Sequence, residues 1–116
     1  MKEGDIVLAQ KDGRGKYRPA VVLRRMPGFG DLLVCGISIQ LRQQVADFDE
    51  IIDPSHTDFK TSGLKAPSLI RLGFLAVLAA SSFLGTIGSI SGERHQGLLC
   101  RLSEHLLPKE KSDSAI

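Results

Sequence analysis

Arg18-Pro19-Ala20-Val21-Val22-Leu23, followed after a short turn by Leu32-Leu33-Val34-Cys35-Gly36-Ile37-Ser38, decides how this chain folds. Four apolar residues in a row after Pro19 read as a strand buried on both faces, and the second run reads as its neighbour. Between them, Met26-Pro27-Gly28-Phe29-Gly30-Asp31 carries the proline and glycine chemistry of a chain reversal. Pro19 has no backbone donor and belongs at a strand's start or on an unpaired edge, which leaves Arg18 at the strand's mouth. If the two strands pair, a guanidinium enters one and a hydroxyl leaves the other, so both groups could hold one phosphate.

Working outward, Ile6 to Gln10 forms a first strand, joined to the next by Lys11-Asp12-Gly13-Arg14-Gly15-Lys16, a basic hairpin tip. Three antiparallel strands therefore follow in succession. Gln40 to Gln44 reads as an exposed connection, Val45 to Pro54 alternates weakly, and His56 to Lys65 reads as loop. Leu69 to Leu78 and Phe83 to Ile90 read as further strands. From Ser91 onward, Leu98, Leu99, Leu102 and Leu106 recur at helical spacing, with Ser91 as N-cap and Pro108 as terminator.

The chain has 116 residues, 42% hydrophobic and 24% charged, which suits one domain over residues 1–108 with a flexible polar tail over 109–116. Tryptophan is absent and aromatics make up 5%, so the core rests on Leu, Ile and Val. A net charge of +2 conceals an uneven distribution. Residues 1–44 hold eight Lys/Arg and four Asp/Glu, whereas 45–58 hold five acids and no Lys or Arg, a segment that reads as a solvated face. Cys35 and Cys100 read as packed thiols in a strand and an apolar helix, which favours a reduced, cytoplasmic compartment. The scattered histidines offer no metal-ligand spacing, so no metal and no cofactor is expected. The start of the chain reads as no secretory signal. The uncharged run Leu72 to Ile90 approaches the length of a membrane span, but its glycines and hydroxyl residues divide it into two shorter elements.

Five pieces in order extend this reading: Gly4-Asp5-Ile6-Val7, Arg18-Pro19-Ala20-Val21-Val22, Val34-Cys35-Gly36-Ile37-Ser38, Ser62-Gly63-Leu64-Lys65, and Ile87-Gly88-Ser89-Ile90-Ser91 with its helix. Together, over residues 4–107, they resemble the MazF/PemK toxin family. The resemblance implies a mainly β fold, a small SH3-like barrel with a C-terminal helix. It also implies a homodimer, a cognate antitoxin, and metal-independent cleavage of single-stranded RNA that inhibits growth and translation. Arg18 matches the family's Arg-Pro motif, and Ser38 the hydroxyl residue that closes its Cys-Pro-Ile-Thr-like motif, with Gly36 in place of proline. In the PemK-like branch an arginine is followed two residues later by an aspartate; Arg71 matches the arginine, but Gly73 stands where the carboxylate would be.

These residue types suit RNA cleavage through the substrate's own 2′-hydroxyl, which needs orientation, charge stabilisation and help with proton transfer. Arg18, Ser38 and Arg71 are the candidate catalytic groups. Arg14, Lys16, Gln40 and Arg42 are candidates for tracking the RNA backbone. Arg71 has a plain alternative, an ion pair with Asp47, Asp49 or Glu50. Gly73 leaves open a second reading of the whole chain, a module that binds RNA or a protein without cutting.

Overall fold

The computed structural model describes residues 1–108; the expected polar tail lies outside the described residues. Six strands build one antiparallel sheet: β1 (Asp5–Ala9), β2 (Arg18–Arg25), β3 (Leu32–Ser38), β4 (Glu50–Ile52), β5 (Ser68–Leu78) and β6 (Phe83–Ser89). Their spatial order is β4-β5-β3-β2-β1-β6, so the successive hairpins β1-β2-β3 form the centre. The sheet does not close by hydrogen bonding, and β4 and β6 remain its edges. A one-turn helix, α1 (Phe59–Ser62), precedes β5, and a longer helix, α2 (Gly92–Leu106), follows β6. Mainly β with a C-terminal helix is therefore the observed class, compatible with a small barrel.

Ala20 to Leu23 is buried throughout because both faces of β2 are covered. Val21 and Leu23 join Ile6, Cys35 and Leu72 beneath Leu98 and Leu102 of α2. Ala20 and Val22 pack on the opposite side with Val7, Leu32 and Val34, capped by Ala76, Leu78 and Phe83. Each fully buried Val or Leu side chain contributes about 1.5–3 kcal/mol, so a strand placed between two apolar layers anchors the fold. Pro19 sits near the start of β2, opposite Leu8 of β1, and the ladder to β3 begins one residue later at Ala20–Gly36.

The helix start agrees with its sequence signal: the Ser91 hydroxyl accepts a hydrogen bond from the Arg94 N–H at 3.1 Å. Leu72 to Ile90 divides into the end of β5, a short 3-10 turn at Ala80–Ser82, and β6. No helix of the described residues is long and apolar enough to cross a membrane. Two expectations need correction. The stretch 56–65 is not all loop, since α1 forms within it and Gly63 ends it at φ 77°. Cys100 lies on the exposed side of α2, while Cys35 is fully buried. Burial pushes the Cys35 thiol up to about 12, so it packs as an inert hydrophobe.

Candidate functional site

The register of β2 on β3 is Ala20↔Gly36, Val21↔Cys35 and Val22↔Val34. Continued two residues towards the rim, the same register sets Arg18 across from Ser38. There the ladder ends and the strands part into a cleft of about 540 Å³. Arg18, Ser38, Gln40, Gly63, Lys65 and Ile87 all belong to its lining.

The Ser38 hydroxyl oxygen accepts a hydrogen bond from the Gln40 backbone N–H at 3.0 Å. That turn fixes the oxygen and leaves the hydroxyl proton free to be donated into the cleft. Arg18 and Lys65 supply positive charge, and among the described residues no carboxylate or imidazole belongs to the lining. The cleft can bind an anion and donate to it, but it contributes no carboxylate to take a proton.

Its lining depends on two close backbone contacts. A Cβ on Gly63 would stand 2.2 Å from the carbonyl oxygen of Ile87, and one on Gly88 would stand 2.3 Å from that of Thr61. The two glycine-bearing segments quoted from the sequence are thus pressed together, α1 against β6, and only glycine permits the approach.

A second concavity of about 270 Å³ adjoins the first, and Arg18 lines both. Its rim carries Lys11, Arg14 and Lys16; its floor includes Gly36 and Phe74. Here β5 bulges away from β3: Leu75 pairs with Cys35 and Ile70 with Ile37, so Gly36 alone stands against residues 71–74. The bulge turns the Phe74 ring onto Gly36, where a Cβ would meet its Cδ2 at 2.5 Å. Arg71 lies in the same bulge with its guanidinium carbon 5.0 Å from the centre of the Phe74 ring. Of the seven residues singled out from the sequence, the structure gathers Arg18, Ser38 and Gln40 in the cleft and Arg14 and Lys16 beside it. Arg71 and Arg42 line neither concavity, and Arg42 sits on the 3-10 turn Leu41–Gln43.

The acidic segment is a solvated face only in part: Asp47 is exposed, but Asp49, Glu50 and Asp58 form a brace. Asp49 accepts from the N–H groups of Val45 and Leu72, both at 2.9 Å. Asp58 receives two hydrogen bonds from Arg94, at 2.8 and 3.1 Å, and a third from the Ser91 N–H. Glu50 pairs with Arg94 at 2.7 Å and with Arg101. These carboxylates are thereby committed, and Arg71 pairs with none of them. Hydrogen bonds from Arg94 hold the Asp58 carboxyl down at about 2. Burial alone would lower the Arg94 value, but the bonds and charges of Asp58 and Glu50 outweigh it and raise it. Arg94 gave no signal in the sequence beyond its place three residues after the N-cap.

Residues 2–106 match the family model described as PemK-like, MazF-like toxin of type II toxin-antitoxin system. No curated protein matches the chain. Among solved structures, the chain resembles Mycobacterium tuberculosis toxin MazF-mt6 with a TM-score of 0.67 and 20% identity. The match covers 88% of this chain and 95% of that one, a likeness of fold.

Proposed function

The chain belongs to the PemK-like, MazF-like toxins of type II toxin-antitoxin systems, and from that premise we propose that it cleaves single-stranded RNA without a metal ion, as a cytoplasmic homodimer restrained by its antitoxin. The observation that carries this reading is that Arg18 and Ser38 line the same cleft. Arg18 offers a planar fork of donors to the non-bridging oxygens of a phosphodiester, and Ser38 donates its free proton to the same group. Charge that builds on the phosphorane is met by both, together with Lys65. The neighbouring 2′-hydroxyl attacks phosphorus and the 5′-oxygen leaves, giving a 2′,3′-cyclic phosphate and a 5′-hydroxyl. The 2′-proton passes to a phosphate oxygen or water, and the 5′-oxygen takes one from solvent or Lys65. DNA, without the 2′-hydroxyl, is inert.

The test is digestion of single-stranded RNA by the purified protein in EDTA, with the cut ends mapped. Cyclic phosphate ends, absent with Arg18→Ala, are the expected result; intact RNA, or a fully active Arg18→Ala, overturns it.

A second reading, RNA binding without cleavage, is favoured by one observation: Gly73 brings no carboxylate and the cleft lining holds none. A Cβ on Gly73 would make ordinary contact with Phe48 Cε2 at 3.4 Å, and Gly73 itself lines neither concavity. On this second reading the wild type binds RNA uncut and Gly73→Asp begins to cut it.

A further inference from the structure

We propose that the second concavity, floored by Phe74 and Gly36, is a subsite for one nucleobase of the RNA, and that Phe74 stacks on that base. This rests on the RNA reading of the adjoining cleft and specifies where the strand continues from it.

Three observations carry the assignment. The first is charge: Lys11, Arg14, Lys16 and Arg18 line the concavity and, among the described residues, no acidic one does, a setting that favours an occupant carrying negative charge on at least one side. The second is the ring. Phe74 is 63% exposed, and it is held in place on one side by a residue without a side chain. Arg71, outside the concavity, lies over the ring with its guanidinium carbon 5.0 Å from the centre and helps to hold it. The ring covers Gly36 and still leaves most of its surface to solvent, where a base can stack on it. The third is continuity: Arg18 belongs to both concavities, so a phosphate gripped beside Ser38 places the adjoining nucleotide next to Phe74.

The occupant must combine a flat apolar face with negative charge a few ångströms away, and a nucleotide does so in one unit. A volume of about 270 Å³ suits one base rather than a stack. The substitution at position 36 then has a chemical sense. Glycine there seats the ring, and a proline in that place would fill the space the ring edge occupies.

The experiment measures binding, so that it reads independently of cutting. A short oligoribonucleotide with 2′-O-methyl at every ribose and 2-aminopurine at successive positions is titrated onto wild type, Phe74→Leu and Phe74→Tyr. Wild type and Phe74→Tyr should quench the probe at one position. Phe74→Leu should lose that quenching and weaken binding roughly five- to a hundredfold, with its melting temperature unchanged. Wild-type affinity and quenching in Phe74→Leu overturns the subsite, as does a result in which Phe74→Leu weakens only an antitoxin's binding. If wild type binds and quenches but leaves unmodified RNA uncut, the nuclease reading fails while the subsite stands.

Discussion

A Cβ on Gly88 would lie 2.3 Å from the carbonyl oxygen of Thr61, closer than any side-chain carbon can come to a backbone oxygen. Gly63 makes the reciprocal contact with Ile87, at a φ of 77° that side-chain-bearing residues rarely adopt. Gly88→Ala should therefore cost about 1–3 kcal/mol through overpacking, and Gly63→Ala more, because left-handed backbone strain adds to the clash. Urea unfolding measures both. The segments concerned contribute Gly63 and Ile87 to the cleft that Arg18 and Ser38 also line, so activity should fall further than the loss of folded protein explains.

The Asp58–Arg94 pair makes a prediction about acid. The Asp58 carboxyl is held at about 2 in the fold against an ordinary 3.8. An acid whose folded value lies below its unfolded value stabilises the fold fully above the unfolded value, and that stability is lost as pH falls through the folded one. The contribution, roughly 2 kcal/mol for a shift of this size, should thus be present at pH 5 and largely gone by pH 2. Chemical denaturation across this window should show the wild-type stability falling with acid more steeply than that of Asp58→Asn. At neutral pH Asp58→Ala should lose about 3 kcal/mol, because Arg94, only 11% exposed, keeps its charge with one partner fewer. Equal pH slopes in the two proteins would remove Asp58 from the account.

How legible these features were depends on how local their cause is. β1 to β3 and the start of α2 could be read because alternation, turn residues and a serine cap act within a few positions. The brace could not, since Arg94 finds Asp58 and Glu50 at separations of 36 and 44 residues. Five acids without a base between them look solvated until the fold brings an arginine from α2. Phe74 was hidden for a different reason. A phenylalanine within Leu72 to Leu78 has the pattern of core, and only the bulge opposite Gly36 turns it outward. Arg18 and Ser38 were legible as a pair because hairpin register is set by the turn between them, whereas Lys65, though part of the quoted Ser62–Lys65 piece, reaches the cleft through the long-range contact of α1 with β6.

Gly36 and Phe74 should be energetically coupled. Gly36→Ala places a methyl where Cδ2 of the ring lies, at 2.5 Å, and the exposed ring can swing away to relieve it. The expected loss is about 1 kcal/mol in the wild-type background and near zero when Phe74 is already alanine. A double-mutant cycle by denaturant unfolding measures this difference, and additive values would mean the ring does not rest on Gly36 in solution.

The proposed function gives Ser38 two tasks, and a pair of substitutions separates them. Its oxygen accepts from the Gln40 N–H, which sets the course of the chain into the 3-10 turn, and on the proposed mechanism its proton is the one offered to substrate. Ser38→Thr keeps both and should retain most of the cutting rate. Ser38→Ala removes both, so the Gln40 N–H must turn to water while the phosphate loses a donor. By comparison with the loss of a single donor at an oxyanion site, kcat should fall about 10²- to 10³-fold. Arg18→Lys is the companion case: it preserves charge but replaces a two-pronged donor by a point charge, so it should fall between wild type and Arg18→Ala. Single-turnover cleavage of RNA with mapped ends measures all four variants. If Ser38→Ala cuts as fast as Ser38→Thr, the hydroxyl serves only the turn, and stabilisation of the phosphorane rests on Arg18 and Lys65.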